Sequence, residues 1–277
     1  MADCTIHLLS LKPSIAPEEI ASKLKAKANQ KILITGIPHG WVHKPHKLSI
    51  KELLCREWHL FVLTTASSEP LQSDPGVEAH VKINVTISEE QWNQLVNPIS
   101  KGPHDIPQLP PEWTVQSTRD LQIPKQHIAA ETIPNPPPGT LKLDLRMANF
   151  LSTALPKQVR QKPVNLFNLF AYRDNDSAVH EQYMRDFKRS FGDSAGAYVK
   201  FMGPVGPLVR GIVDSQEQQH GDDDDGVEGW QEANLTHYDS IFHYAYMLST
   251  DVYQGLNKIK VRGLEDTCIL LVSEVNS

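Results

Sequence analysis

Two aromatic-rich stretches of the chain carry the side chains that are best suited to act on a small molecule. They are Val164–Tyr172 and residues 237–257, and between them they mix tyrosine, histidine and asparagine with apolar residues. A tyrosine hydroxyl or a histidine ring can polarise a substrate carbonyl or accept a proton from the substrate. His243, Tyr172 and Tyr246 are therefore the candidate catalytic residues.

A second group of side chains in the same stretches could hold such a substrate. Alternate residues of a strand share a face, so Asn168 and Phe170 are expected to point the same way. Residues 238–248 alternate polar and apolar positions and predict another strand, on which His243 and Tyr244 take opposite faces. Phase alone does not decide which face lines a cavity. The predicted substrate-binding residues, including two counterparts from the first half of the chain, are Asn168, Phe170, Ser240, Phe242, Tyr244, His7 and His59.

The motifs that are missing narrow the predicted chemistry. The sequence has no GxSxG elbow and no cysteine in a recognisable nucleophile context, whereas hydrolysis and group transfer normally need an activated nucleophile. It also lacks the P-loop and the Rossmann fingerprint, so no cofactor is predicted. Cyclisation, cycloaddition and isomerisation remain, because holding a substrate in its reactive conformation can itself supply several kcal/mol of the barrier.

One cluster of histidines has spacings that could bring two imidazoles near a metal ion. His39, His43 and His46 lie within a stretch of eight residues that has no nearby cysteine or carboxylate. Gly40 and Pro45 favour an irregular, solvated loop there. No metal site is therefore predicted.

Charge argues against several classes of partner. The chain has 277 residues and a net charge of −6, with no stripe of lysine or arginine, so nucleic acid is excluded as a partner. The aspartate run 222–225 lacks the alternating ligands and turn glycine of a calcium loop, which favours an acidic loop. No apolar stretch is long enough for a membrane span.

The cysteines indicate the compartment. Cys4, Cys55 and Cys268 are far apart and predict free thiols in a reducing compartment, hence a cytoplasmic protein.

The pattern of apolar residues predicts two similar halves. The first, 1–97, is expected to contain strands near 4–11, 58–65 and 80–87 and two helices. The middle segment, 98–162, is rich in proline and is predicted to be a linker that packs on the surface, with one short strand near 140–145.

The second half, 163–277, predicts the order β, α, β, β, α, β. Strands are expected at Val164–Tyr172, 197–202, 238–248 and 267–275, and helices at 177–191 and after residue 250. This order is that of a ferredoxin-like βαββαβ unit, and the first half is interpreted as a diverged copy. The predicted fold class is α+β, with two such units in tandem whose sheets face each other and enclose an apolar chamber.

The second half also resembles a known superfamily. The sequence FNLFAYRD at 167–174, together with residues 237–258 and 266–275, is similar to the dimeric α/β-barrel superfamily in the tandem form met in uncharacterised fungal proteins. The resemblance covers about 164–275, and 4–97 only by pattern. It implies a dimeric-α/β-barrel-like pseudodimer, but it does not imply a reaction, because that superfamily contains cofactor-free monooxygenases, decarboxylases, cyclases, haem proteins and members without known activity.

These expectations combine into one functional hypothesis with two alternatives. The hypothesis is a cofactor-independent enzyme of secondary metabolism that folds an apolar small molecule for cyclisation, including intramolecular cycloaddition of the Diels–Alder type. One alternative is a cofactor-free monooxygenase or decarboxylase in which His243 or a tyrosine acts as the base. The other is a non-catalytic binding or stress-associated module. Either a monomer or a homodimer is compatible with the pattern.

Overall fold

A computed structural model describes residues 1–26, 31–65, 74–97, 108–113, 123–130, 136–157, 159–191, 196–212 and 229–275 of the chain, with only the backbone described at 25 and 207–212. The strands are β1 (Ala2–Leu11), β2 (Ile32–His43), β3 (Leu60–Thr65), β4 (Val77–Ile87), β5 (Val164–Tyr172), β6 (Ala197–Ile212), β7 (Glu232–Tyr238) and β8 (Leu264–Glu274). The α-helices are α1 (Pro17–Ala26), α2 (Ile50–Leu54), α3 (Glu89–Val96), α4 (Leu145–Thr153), α5 (Ala178–Phe191), α6 (Ile241–Ser249) and α7 (Asp251–Gly263).

The eight strands form one closed antiparallel barrel in the order β1-β3-β2-β8-β5-β7-β6-β4. The predicted fold class, two ferredoxin-like units whose separate sheets face each other as a pseudodimer, is therefore wrong. The two halves are joined through their edge strands, because β4 pairs with β6 and β2 pairs with β8. Edge strands carry unpaired backbone N–H and C=O groups, and closing the barrel satisfies them.

The inside of the barrel is a packed apolar core. Along β5, Phe167, Leu169 and Ala171 point inward, whereas Leu166 packs against the helices outside. The interior of an eight-stranded barrel is just wide enough for side chains to fill. The space that was predicted to be an apolar chamber between two sheets is thus occupied by side chains from every strand, including Ile6, Ile34, Phe61, Ile83, Phe167, Phe201, Leu235 and Leu270.

Polar side chains close one end of this core. The Asn165 amide donates to the Glu274 carboxylate at 2.7 Å, and Lys200 forms an ion pair with the same carboxylate. The His237 ring lies 3.2 Å from the Asn165 side-chain oxygen and 3.4 Å from the Asp239 carboxylate. The Asn165, Lys200, His237 and Glu274 side chains are therefore paired with one another at this end, as burial favours.

The other end is closed by the segment between β2 and β3. The indole N–H of Trp230 donates to Ser49 Oγ at 2.8 Å. The buried Asp266 carboxylate accepts from the backbone N–H groups of His46, Lys47 and Leu48 at 3.1, 2.7 and 2.9 Å. A carboxylate that accepts several N–H bonds holds the loop firmly against β8.

The predicted third strand of the second half is wrong. The strand is β7, Glu232–Tyr238, and the residues after it form helix α6. Ser240 begins this helix, because its hydroxyl accepts from the N–H groups of Phe242 and His243 at 3.2 and 3.4 Å. The assignment of Ser240, Phe242, Tyr244 and Tyr246 to one strand face and His243 to the other therefore fails.

The proline-rich segment contains a helix that the sequence analysis does not predict. Helix α4 begins after Asp144, whose carboxylate accepts from the Met147 N–H at 2.8 Å. Leu151 is fully buried against the helices of the second half. In place of the short strand near 140–145, the structure has a single bridge between Ala129 and Asp144. We refer to residues 136–155 as the strap.

The histidine-containing stretch is also more regular than predicted. Strand β2 extends through His43, so His39 and His43 lie in a strand. The His39 ring is 2.7 Å from Ser273 Oγ, and His43 Nε2 accepts from the Gly139 N–H at 3.2 Å. The aspartate run 222–225 lies outside the described residues.

Candidate functional site

A cavity lies on the outer face of the barrel wall, between that wall and helices α5, α6 and α7. The cavity volume that is open to the centres of water molecules is about 40 Å³. This is room for on the order of three waters. The wall contributes Leu166, Asn168, Phe170, Asn234, Thr236, Tyr238 and Ile269. The helices and the strap contribute Leu141, Tyr183, Met184, Phe187, Tyr244, Tyr253 and Lys260.

The floor of the cavity is a short polar strip on β5 and β7. The Asn168 side-chain amide donates to Asn234 Oδ1 at 2.6 Å and to the Leu166 carbonyl at 2.9 Å. Thr236 Oγ1 donates to the same Asn234 oxygen at 3.3 Å. These groups are neighbours because they occupy outward-facing positions of two paired strands, with Asn168 directly opposite Asn234.

Four tyrosines from four elements surround the cavity. Tyr183 and Tyr253 bond through their hydroxyls, and the Tyr238 hydroxyl donates to Met247 Sδ at 3.4 Å. The Tyr244 hydroxyl is buried and has no partner among the described residues. Burial raises the pKa of all four tyrosines, so each keeps its proton and can act as a hydrogen-bond donor near neutral pH.

Lys260 of α7 is the chemically most unusual residue of the cavity. Its side chain is only 3% exposed and forms no ion pair with a described carboxylate. Its Nζ lies 3.4 Å from the Tyr253 hydroxyl and 5.8 and 6.0 Å from the ring centres of Tyr183 and Tyr253. Burial lowers the pKa of Lys260 to about 7, because the charged ammonium loses its hydration without gaining a counter-ion. A large fraction of Lys260 is therefore neutral amine near pH 7.

The strap closes the cavity beside Lys260. The Leu141 carbonyl accepts from the side-chain amides of Gln254 and Asn257 at 3.3 and 3.2 Å. Gly139 has a φ of +78°, and a Cβ there would lie 2.8 Å from Leu264 Cδ1 and 3.6 Å from Lys260 Cε. Only glycine fits this conformation and this close approach.

His43 holds the strap from the barrel side and lies in the field of Lys260. Burial, together with the nearby Lys260 charge, lowers the pKa of His43 to about 3. The ring therefore stays neutral near pH 7 and can accept the Gly139 N–H. The three contacts of Gly139 and Leu141 fix the position of the strap over the cavity.

Three of the sequence-predicted site residues line this cavity: Asn168, Phe170 and Tyr244. Tyr172 lies further along β5, where its ring contacts His180 at a centre-to-centre distance of 5.3 Å. Burial raises the pKa of Tyr172, and the Glu232 carboxylate raises it further. Tyr172 therefore keeps its proton, in a setting separate from Lys260.

The predicted residues of α6 have mainly structural contacts. Ser240 Oγ lies 2.8 Å from His243 Nδ1 in addition to capping the helix. Phe242 is buried in the core cluster of the second half, and the Tyr246 ring packs against Trp113 with centres 5.6 Å apart. None of these four side chains lines the cavity around Lys260.

His7 and His59, the predicted counterparts in the first half, are not among the residues that line the cavity. His7 contacts His80 at 2.8 Å and Thr64 at 2.9 Å, and burial lowers its pKa to about 3. His59 Nδ1 accepts from the Leu11 N–H at 3.0 Å. Both rings thus bridge neighbouring strands of the first half.

Sequence reasoning missed Lys260, Tyr183, Tyr253 and the polar partners on β7. A signal for Lys260 was present, because the buried positions of α7 are Tyr253, Leu256, Asn257, Lys260 and Gly263. These positions follow the helical spacing of three and four residues. A lysine on such a stripe is an exception to the rule that lysines face water, and it marks a candidate site.

In the described part of the chain, no group of three or more histidine, cysteine, aspartate or glutamate side chains is arranged so that it could hold a metal ion. None of the helices described there has the length and apolar character needed to cross a membrane.

The protein is thus a closed eight-stranded antiparallel barrel with a lysine-containing cavity on its outer wall. No protein-family model matches the chain, and no curated protein matches it. The comparisons thus leave the resemblance to the dimeric α/β-barrel superfamily untested.

Two solved structures match part of the chain. One is of RPA0582, described as a protein of unknown function from Rhodopseudomonas palustris; it is 18% identical, has a TM-score of 0.32, and covers 43% of this chain and 86% of that chain. The other is of methylated RPA0582 protein, with 19% identity, a TM-score of 0.32, and coverage of 42% and 84%. At this level of similarity they carry no argument about function.

Proposed function

We propose that the protein is a cofactor-independent enzyme that cyclises or isomerises an apolar, carbonyl-bearing small molecule in the cavity around Lys260. The observation that carries the proposal is a lysine with no carboxylate partner among the described residues, buried among aromatic rings and within reach of a tyrosine hydroxyl. Pockets for small molecules are mostly apolar and contain a few well-placed polar groups, and this cavity has that character.

The side chains of the cavity supply complementary roles for such a reaction. The neutral amine of Lys260 would take a proton from the carbon next to the substrate carbonyl. A tyrosine hydroxyl would donate a hydrogen bond to the carbonyl oxygen as negative charge develops on it, and Tyr244 has its hydroxyl available for this. The aromatic walls would hold the rest of the substrate in the reactive conformation.

The small volume of the cavity limits which molecules it can hold while the strap is in its observed position. About 40 Å³ of space for water-sized molecules admits only the reacting end of a substrate. A larger apolar body needs the strap to move, which requires breaking the bonds from Gln254 and Asn257 to the Leu141 carbonyl and from Gly139 to His43. Our proposal therefore includes opening of the strap during substrate entry.

A non-catalytic small-molecule-binding module is the second candidate function. Its support is the filled interior of the barrel and the small volume of the cavity on the outer wall. The two candidates differ in one measurable way, because a binding module retains its ligand unchanged whereas an enzyme converts it in excess over the protein.

The test is conversion of metabolites by purified protein. Fractionated extracts of the organism that encodes the chain would be incubated with wild type, Lys260→Met and Lys258→Met, and compared by chromatography and mass spectrometry. We expect wild type and Lys258→Met to convert the same compound without a change of mass. Lys260→Met should lose at least ~100-fold in rate, which is typical of removing a general base.

The matched control is Lys258, which is exposed on the same helix. Equal conversion by Lys260→Met and Lys258→Met would overturn the role of Lys260. A loss of carbon dioxide or a gain of oxygen in the product would instead favour the decarboxylase or monooxygenase alternative. Loss of conversion after treatment with a chelator would contradict cofactor independence.

A further inference from the structure

We propose that Lys260 forms a Schiff base with a ketone or aldehyde group of the substrate. This inference rests on the proposed function of the outer cavity and specifies both its substrate class and its chemistry. In the proposed function Lys260 is a general base that only removes a proton. In this inference Lys260 is instead a nucleophile that binds the substrate covalently.

The position of the amine supports this role. Lys260 Nζ is enclosed by Tyr183 and Tyr253, and no described carboxylate pairs with it. A lysine that only stabilised the fold would normally pair its charge with a buried carboxylate, since an unpaired buried ammonium is unfavourable. A desolvated lysine in an apolar pocket is the arrangement in which the amine becomes nucleophilic near neutral pH.

The reaction balances with groups that are present. The Nζ lone pair attacks the carbonyl carbon, and the carbonyl electron pair moves to the oxygen, which takes up the proton released by the nitrogen. The resulting carbinolamine loses its hydroxyl as water, and the nitrogen lone pair forms the C=N bond. The proton that completes the water comes from the Tyr253 hydroxyl, which then takes back the proton of the iminium nitrogen. Neutral amine and carbonyl compound thus give an imine and one water, with no oxidant or reductant.

Tyr253 is placed to assist the loss of water. Its hydroxyl is 3.4 Å from Lys260 Nζ, so it would also lie near a hydroxyl carried by the carbon bonded to that nitrogen. Because burial raises its pKa, Tyr253 stays protonated and can donate to the departing oxygen. The contact from Tyr183 to the Tyr253 hydroxyl fixes the orientation of this donor.

The test is reductive trapping with a small aldehyde. The space around Lys260 is about 40 Å³ for water-sized molecules, so propanal is a suitable probe. The full chain would be treated with propanal and sodium cyanoborohydride near pH 7, digested, and analysed by mass spectrometry. We expect the propyl adduct on Lys260 to form at least ~10-fold faster than on Lys258, because burial keeps a large fraction of the Lys260 side chain as neutral amine near pH 7.

Two variants and one comparison keep the inference falsifiable. Lys258→Arg should leave the fast adduct unchanged, whereas Lys260→Arg should remove it while the far-ultraviolet circular dichroism spectrum stays that of wild type. If Lys260→Arg does not fold, Lys260→Met serves instead, because it removes the buried charge. Labelling of Lys260 no faster than Lys258 would overturn the Schiff base.

The failure of this inference and that of the proposed function can be told apart. If propanal does not label Lys260 but metabolite conversion depends on Lys260, the Schiff base is excluded and the acid–base function stands. If Lys260 is labelled rapidly but Lys260→Met converts metabolites as wild type does, the proposed function fails. Rapid labelling together with Lys260-dependent conversion supports both.

Discussion

Tyr244 differs from the other tyrosines of the cavity, because its buried hydroxyl has no partner among the described residues. An unsatisfied buried hydroxyl costs stability, so Tyr244→Phe should leave the free energy of unfolding unchanged or raise it by about 1 kcal/mol. Tyr253→Phe removes a hydroxyl that contacts both Lys260 and Tyr183, and should lower it by about 1 kcal/mol. Urea denaturation of the two variants beside wild type measures both effects.

The comparison of these variants is informative because both remove one oxygen from a fully buried tyrosine. If Tyr244→Phe destabilises the protein as much as Tyr253→Phe, the Tyr244 hydroxyl has a structural partner and is not available to a substrate. If Tyr244→Phe is neutral for stability but slows conversion, the hydroxyl acts on the substrate.

At the residue scale, the alternation of side chains along a strand predicted which residues of β5 share a face. Asn168 and Phe170 were placed on one face of β5, and both line the cavity. Lys260 was not predicted, because lysines are usually exposed and its burial depends on elements from elsewhere in the chain. Tyr183 lies on the buried side of α5 with Phe187 and Phe191, but its hydroxyl contact with Tyr253 depends on how two helices pack.

Helix α4 shows how an element can be hidden by its neighbourhood in the sequence. The surrounding prolines indicated a linker, yet Asp144 caps a helix whose Met147, Ala148 and Leu151 are buried. We expect Leu151→Ala to lower the free energy of unfolding by about 2–5 kcal/mol, because it opens a cavity in a packed core. Thermal or urea unfolding measures the change.

Thr153 provides the control on the same helix. It is exposed, so Thr153→Ala should change the free energy of unfolding by less than about 0.5 kcal/mol. Similar, small effects of Leu151→Ala and Thr153→Ala would show that α4 is only loosely attached and that the strap does not belong to the core.

Helix α6 was predicted as a strand for a different reason. Seven of its residues, Ile241 to Ala245 with Met247 and Leu248, are buried, so burial does not single out one side of the helix. When an element is enclosed on nearly all sides, alternation and helical spacing both fit its sequence. The cap at Ser240 was the local signal that distinguishes the two, because its hydroxyl accepts from the first turn.

At the scale of the whole molecule, the sequence indicated many of the strands but not how the two halves meet. Local patterns predicted β1, β3, β5 and β8 close to their observed positions. The pairings of β4 with β6 and of β2 with β8 join strands that are far apart in the chain, and no local pattern encodes them. These pairings close the barrel, fill its interior and move the cavity to the outer wall.

The central claim is that Lys260 is buried in that outer cavity with no counter-ion among the described residues, and its most direct test needs no substrate. In the folded protein the pKa of Lys260 is lowered to about 7, whereas in the unfolded chain it is near its ordinary value, about 10.4. Between these two values the unfolded chain binds more protons, so the stability contributed at this position rises with pH. Below about pH 7 Lys260 is charged in both the folded and the unfolded state, so the full cost of burying the charge lowers the free energy of unfolding.

The measurement is the free energy of unfolding of wild type, Lys260→Met and Lys258→Met from about pH 6 to about pH 10. We expect Lys260→Met to be the most stable at the acid end and wild type to gain about 4 kcal/mol relative to it by about pH 10, while Lys258→Met follows wild type throughout. A difference between wild type and Lys260→Met that stays constant across this range would contradict the claim, because Lys260 would then be solvated or paired.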